Sequence, residues 1–234
     1  MIRRLSLDWP DPRPFATRPG APIRLLAVSD MPDPALEHEV NRTALGHLDG
    51  IIGCGDLAPS WLSFLGDAFT APIVYVRGNH DHGGAWADRS VTVSSWLAGG
   101  HTDRLAGIVI GGLEWPGIDE AGNRRRPWLA WRQALVLAAR ALAARATGRR
   151  EPILVISHAP PLGAGDVSTD AYHVGFGAYR WLLARLRPPL WLHGHTTAAS
   201  VASLVCRADR TEVVNVTGAV LVELHPPAPT TALP

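Results

Sequence analysis

The residues that could do chemistry in this 234-residue chain fall at five places, each at the end of an apolar run. Asp30 and Asp33 follow LLAVS, Asp56 follows IIGCG, and Asn79, His80 and Asp81 follow PIVYVRG. His158 follows PILVIS, and His193 and His195 close LWLHGH. Carboxylate and amide oxygens mixed with imidazole nitrogens suit Mn²⁺, Fe, Zn²⁺ or Mg²⁺ better than copper or an iron–sulfur cluster. Two such cations bridged by a carboxylate clamp the attacking and leaving oxygens of a phosphoryl displacement, and Asp56 has the two oxygens needed to bridge. Taken singly, each residue has an ordinary reading. A strand-end aspartate is commonly a turn or helix cap, and His38, His47, His101 and His225 are read as surface residues without a role. The ordered conjunction, each member after an apolar run, is what points to a metal site.

An alternation of strands and helices must position these residues. The near-continuous apolar runs at 23–29, 50–56 and 72–81 read as strands buried on both faces, with helices over 35–48 and 61–69 between them. Such alternation argues for a parallel sheet with crossover helices, whose strand carboxyl ends share one ligand-binding edge. Further on, 105–113 reads as a strand and 117–127 as a charged loop. Residues 128–147 read as a helix whose Trp131, Leu135, Ala138 and Leu142 form a core-packing stripe. Residues 152–161 and 190–195 read as strands, 176–186 as a helix, and 200–224 as short β segments. The Pro- and Arg-rich residues 1–22 are expected to form an irregular leader and 225–234 a disordered tail, leaving one domain over 23–224.

Composition narrows the function. The formal net charge is +1, which gives no whole-chain signal for nucleic acid or an anionic membrane, so neither is expected as a partner. All basic residues are arginine, which excludes a lysine-bearing phosphate loop and Schiff-base chemistry. Two distant cysteines make no disulfide framework. Cys54 is expected to be buried and inert. With no signal peptide in MIRRLSLDWP and no apolar stretch of membrane-spanning length, a cytoplasmic protein is expected.

The order D, GD, GNHD, H, GH resembles the calcineurin-like metallophosphoesterase family over about residues 23–224, whose pattern is D-x-H, G-D, G-N-H-[DE], H, G-H-x-H. The resemblance implies a four-layer α/β/β/α sandwich and a metal-dependent phosphoesterase, in which metal-activated hydroxide attacks a phosphomonoester or phosphodiester. It implies one metal position made by Asp56, Asn79, His158 and His195, with His80 near the leaving group and Asp81 orienting it. A second position would use Asp30 and a share of Asp56. Two departures fall there: Pro32 occupies the D-x-H histidine position and Thr197 the last histidine of G-H-x-H. Asp33 either substitutes as a ligand or caps the next helix. One or two divalent ions per chain are expected, Mn²⁺ favoured, with a small phosphorylated substrate. His173 and Thr197 are candidate pocket residues, and Arg124, Arg125 and Arg126 either contact phosphate or form a solvated loop. The alternatives are a weakly active or inactive binding scaffold and a mononuclear hydrolase.

Overall fold

The computed structural model describes residues 2–18, 20–87, 96–117, 124–167, 169–197 and 204–227. Most of the charged loop expected at 117–127, and most of the tail, lie outside these residues. The strands are β1 Arg3–Asp8, β2 Ile23–Ser29, β3 Gly50–Gly53, β4 Ile73–Tyr75, β5 Thr102–Leu105, β6 Ile108–Leu113, β7 Ile153–Ser157, β8 Leu190–His193, β9 Val205–Ala208, β10 Thr211–Asn215 and β11 Gly218–His225. The helices are α1 Glu39–Leu45, α2 Pro59–Phe69, the single turn α3 Gly84–Ala87, α4 Pro127–Ala146 and α5 Gly177–Leu186.

Period-two burial sorts these elements into four layers. In β2, Leu25 and Ala27 point into a central core shared with Ile110, Leu154, Ile156 and Leu192 of the other sheet. Leu26 and Val28 point the opposite way, against Leu45 of α1 and Leu62 and Leu65 of α2. In β7 and β8, Leu154, Ile156, Leu190 and Leu192 face the central core, while Val155 and Trp191 face Leu137 of α4 and Leu182 and Leu183 of α5. The sandwich is therefore helix, sheet, sheet, helix. One sheet has the order β1-β11-β2-β3-β4 and the other β5-β6-β7-β8-β10-β9. The runs β2-β3-β4 and β6-β7-β8-β10 are parallel, as the alternation with helices demands.

Several expectations change. Residues 3–8 are not part of a leader but an edge strand, parallel to β11, with the alternating half-buried pattern of such strands. Leu5 and Leu7 pack on the central core, and Trp9 and Phe15 are buried in it. His225, assigned to the tail, ends β11. The strand at 105–113 is the hairpin β5–β6, turned at Ala106 and Gly107, both with positive φ, the geometry of a two-residue type I′ loop. The helix at 35–48 is a 3-10 turn, Pro34–Glu37, then α1 after a break at the extended His38. The helix at 128–147 stands, but its core face is different. Ala130, Gln133, Ala134, Leu137, Ala138 and Ala141 are buried, whereas Trp131, Leu135 and Leu142 are 41, 53 and 47% exposed.

Candidate metal centre

At the carboxyl ends of β2, β3, β4, β7 and β8 the two sheets are tied together by the expected residues. The His195 amide donates to both oxygens of Asp30, at 3.1 and 3.0 Å. His158 Nδ1 lies 2.8 Å from the Cys54 carbonyl and its Nε2 2.7 Å from Asn79 Oδ1. Ligand atoms of Asp30, Asp56 and His158 lie within 4.8 Å of one another, and the His158 and His195 rings are 5.0 Å apart.

The backbone is bent to achieve this. Among the described residues seven non-glycine positions have positive φ; four are helix ends or hairpin turns, and the other three are Asp30, Asp56 and His195, at 62°, 58° and 65°. Such conformations cost about 1–3 kcal/mol each and persist where surrounding contacts over-determine them. The contacts include Asp30 N–H to the Gly55 carbonyl at 3.0 Å and Asp56 N–H to Asp81 Oδ2 at 2.9 Å. Two glycines are required by close approach: a Cβ at Gly78 would lie 2.1 Å from Asp56 Oδ1, and one at Gly194 2.0 Å from Ser29 Oγ.

The histidine tautomers follow from their neighbours. The Cys54 carbonyl can only accept, so His158 Nδ1 carries a proton. Nε2 then faces two acceptors, Asn79 Oδ1 and, at 3.3 Å, Asp56 Oδ2. Asn79 is oriented by donating Nδ2–H to Tyr172 Oη at 2.7 Å. Only a proton or a cation can sit where these three atoms converge. Burial alone would lower the His158 pKa, but the charge and hydrogen bond of Asp56, aided by Asp30, raise it to about 9. Burial likewise pushes Asp56 up, and His158 and His80 more than compensate, holding it below the usual carboxylate range. His195 Nε2 lies 3.1 Å from the Tyr172 carbonyl, leaving Nδ1 as the lone pair. Burial, with His158 beside it, lowers its pKa to about 3, so it is neutral. A carbonyl thus fixes each ring and frees the opposite nitrogen, the outer arrangement that metal-binding histidines use. Carboxylate, amide oxygen and the His158 imidazole fit a divalent cation of the hard-to-borderline kind, and the His195 ring stands beside them, 5.0 Å from that of His158.

The other expected residues are placed as follows. The His80 ring is well exposed, its amide donates to Asp56 Oδ1 at 2.8 Å, and its Nε2 is 4.0 Å from Asp56 Oδ2. Asp81 is buried; its Oδ2 accepts from the Gly78 amide at 2.7 Å, the Asp56 amide and Tyr75 Oη, so it ties together the loops that carry Asp56 and His80. Asp33 caps the 3-10 turn, accepting the Ala35 amide at 2.9 Å, the second of its two readings. His173 pairs with Asp170, and its ring is 5.1 Å from that of His195. Thr197 is exposed. Arg125 donates to the Tyr172 carbonyl at 2.9 Å and lies over Phe176, so it holds the 172–176 loop. Cys54 is fully buried, and burial pushes its thiol pKa well up.

Three contributors were missed. Thr217 Oγ1 donates to Asp30 Oδ2 at 3.1 Å or to the Thr196 carbonyl at 2.9 Å. Tyr172 orients Asn79, and the Trp115 ring is 4.8 Å from that of His195. Trp115 does follow an apolar strand, so position was a usable signal and residue type was not. Thr217 immediately precedes Gly218, the first residue of β11, and has no distinguishing sequence mark.

Comparison with known proteins places this arrangement. No curated protein sequence matches the chain. Solved structures do match in fold: TT1561 of Thermus thermophilus, 16% identical with a TM-score of 0.52, covers 85% of this chain and 90% of its own. A dimetal phosphatase from Danio rerio, 13% identical with a TM-score of 0.53, covers 84% of this chain and 87% of its own. The sequence profile described as calcineurin-like phosphoesterase matches residues 36–198, a span that holds Asp56, Asn79, His80, His158 and His195 and begins beyond Asp30 and Pro32. With most of its length matched, the chain belongs to the calcineurin-like phosphoesterase family.

Proposed function

We propose that the chain is a metal-dependent hydrolase of small phosphomonoesters or phosphodiesters, working in the cytoplasm with Mn²⁺ as the favoured ion. The observation that carries this reading is the convergence of His158 Nε2, Asn79 Oδ1 and Asp56 Oδ2 on one point. Asp56, Asn79, His158 and His195 would hold the ion. When bound, a divalent ion there supplies Lewis acidity toward phosphoryl oxygens and lowers the pKa of water. His80, exposed beside Asp56, is placed to donate to a phosphoryl oxygen or the leaving group. Asp81 fixes the amides of Gly78 and Asp56, which sets both loops. Trp115 and Tyr172 wall the His195 side and limit water there.

A second reading, a mononuclear hydrolase, is favoured by Asp30. Its oxygens already receive the His195 amide and the Thr217 hydroxyl, and neither Pro32 nor Asp33 replaces the missing imidazole.

The test is hydrolysis of chromogenic phosphomonoesters and phosphodiesters with Mn²⁺ and with chelator. His80→Ala should lower kcat by roughly 10²-fold while ion content by elemental analysis stays unchanged. Full activity in His80→Ala would remove that residue from the mechanism. Absence of activity on any ester with bound ion present would favour a binding scaffold.

A further inference from the structure

The apolar stripe of α4 is exposed. Trp128, Trp131, Leu135 and Leu142 are 57, 41, 53 and 47% accessible, and Trp181 of α5, 36% accessible, has its ring 5.6 Å from that of Trp131. Exposed tryptophans and leucines grouped on adjoining helices mark an interaction site far more often than scattered ones do. The same two helices carry Arg132, Arg140, Arg145, Arg180 and Arg185, all exposed, and neither contains an aspartate or glutamate. On the helical wheel Arg132 and Arg145 flank the stripe on either side. The chain's net charge of +1 therefore averages a cationic outer layer with a remainder that is net acidic.

We propose that the outer face of α4 and α5 docks the protein onto an anionic lipid surface. A helix face with Trp and Leu at its centre and arginines along its borders is the pattern that lies in a bilayer interface, with rings at headgroup level and guanidinium groups on phosphates. Charge decides against a second copy of the chain. A two-fold interface through this face would set arginines against arginines with no carboxylate on either helix to pair them. The stripe begins at Trp128, shortly after Arg125, whose guanidinium holds the Tyr172 carbonyl. Docking is peripheral, since no helix among the described residues is long and apolar enough to cross a membrane.

The inference does not depend on the catalytic reading and is tested by co-sedimentation of the full chain with vesicles. Phosphatidylcholine alone is compared with phosphatidylcholine containing phosphatidylglycerol, at low and at physiological salt. Binding should require the anionic lipid and weaken with salt. Arg132→Glu/Arg180→Glu should lower partitioning by about 25-fold or more, at about fivefold per arginine near the surface. Trp128→Ser/Leu135→Ser should lower it on the same vesicles while the far-ultraviolet circular dichroism stays native. Equal partitioning onto neutral vesicles, or none onto anionic ones, overturns the proposal. So does a dimer in sedimentation velocity that Trp128→Ser/Leu135→Ser dissolves, which would assign the face to a second copy.

Discussion

The His158 half of the candidate centre and the Asp30 half are built to different standards. Around His158 every donor is set by a partner outside the cluster: Cys54 fixes the ring, Tyr172 fixes Asn79, and His195 is fixed by the Tyr172 carbonyl. Asn79 Oδ1 and His195 Nδ1 keep a lone pair, and His158 Nε2 holds a proton that an ion would displace. Around Asp30 the carboxylate already accepts from the His195 amide and Thr217 Oγ1 while an oxygen of it stays within 4.8 Å of the ligand atoms of Asp56 and His158, and Asp33 caps the 3-10 turn. A strand-end aspartate can thus serve two ends. Asp56 and Asp30 both belong to the candidate ligand group with His158, and Asp30 is in addition a clasp between the sheets. The family pattern marks both positions, but the hydrogen bonds separate their roles.

The most damaging change should be at Asp56, which belongs to both halves. Asp56→Asn removes the charge that supports the raised His158 pKa. It should abolish tight ion binding by titration calorimetry and reduce hydrolysis to background. Retained tight binding would mean that the His158 half does not need this carboxylate. The next change sharpens the contrast instead of breaking it. Unmodified protein should take up one ion tightly, and Pro32→His/Thr197→His should strengthen a second. Outer-shell contacts alone shift affinity by about 10–100-fold, so two restored imidazoles should do at least as much. In a Mn²⁺-loaded sample the variant should show the exchange-coupled resonance of a paired centre, and the unmodified protein the signal of an isolated ion. A coupled signal from the unmodified protein would show that Asp30 accepts a second ion despite its clasp.

Much of this was legible in the sequence, for a physical reason. Strands of parallel sheets are apolar throughout, so a polar ligand at their end stands out, and topology gathers those ends. Hence Asp30, Asp56, Asn79, His158 and His195 could be named together. Where side chains are half-buried or small the signal fails. The strand at Arg3–Asp8 alternates weakly at a sheet edge and sits before a proline-rich run, so it read as leader. The core face of α4 is made chiefly of alanines, which let the helix approach Val155 and α5 closely. Its larger residues were pushed outward, and ranking by hydrophobicity chose the wrong face. The contacts of Asp81 were not legible either, because proximity in sequence to His80 says nothing of the amides its carboxylate reaches across the loop.

The smallest effect expected is on stability, and it compares the same histidines by pH. His158 has a folded pKa of about 9 against an ordinary 6.5, so the folded state holds its proton more tightly. Its contribution is complete below about 6.5 and is lost as pH rises toward 9. His193 and His195 run the other way: burial lowers them to about 4 and 3, so below 6.5 the unfolded chain binds protons that the folded chain refuses. Stability then falls as pH drops from 6.5. Chelator-treated protein should therefore show its highest midpoint in urea near pH 6.5, with a decline on both sides. Added Mn²⁺ should remove the alkaline decline, because the ion replaces the His158 proton and binds better as that proton leaves, and it should leave the acid decline from His193 in place. His158→Gln should flatten the alkaline limb in chelator. An alkaline limb unchanged by this substitution would show that the proton between Asp56 and His158 is not what couples the two halves to pH.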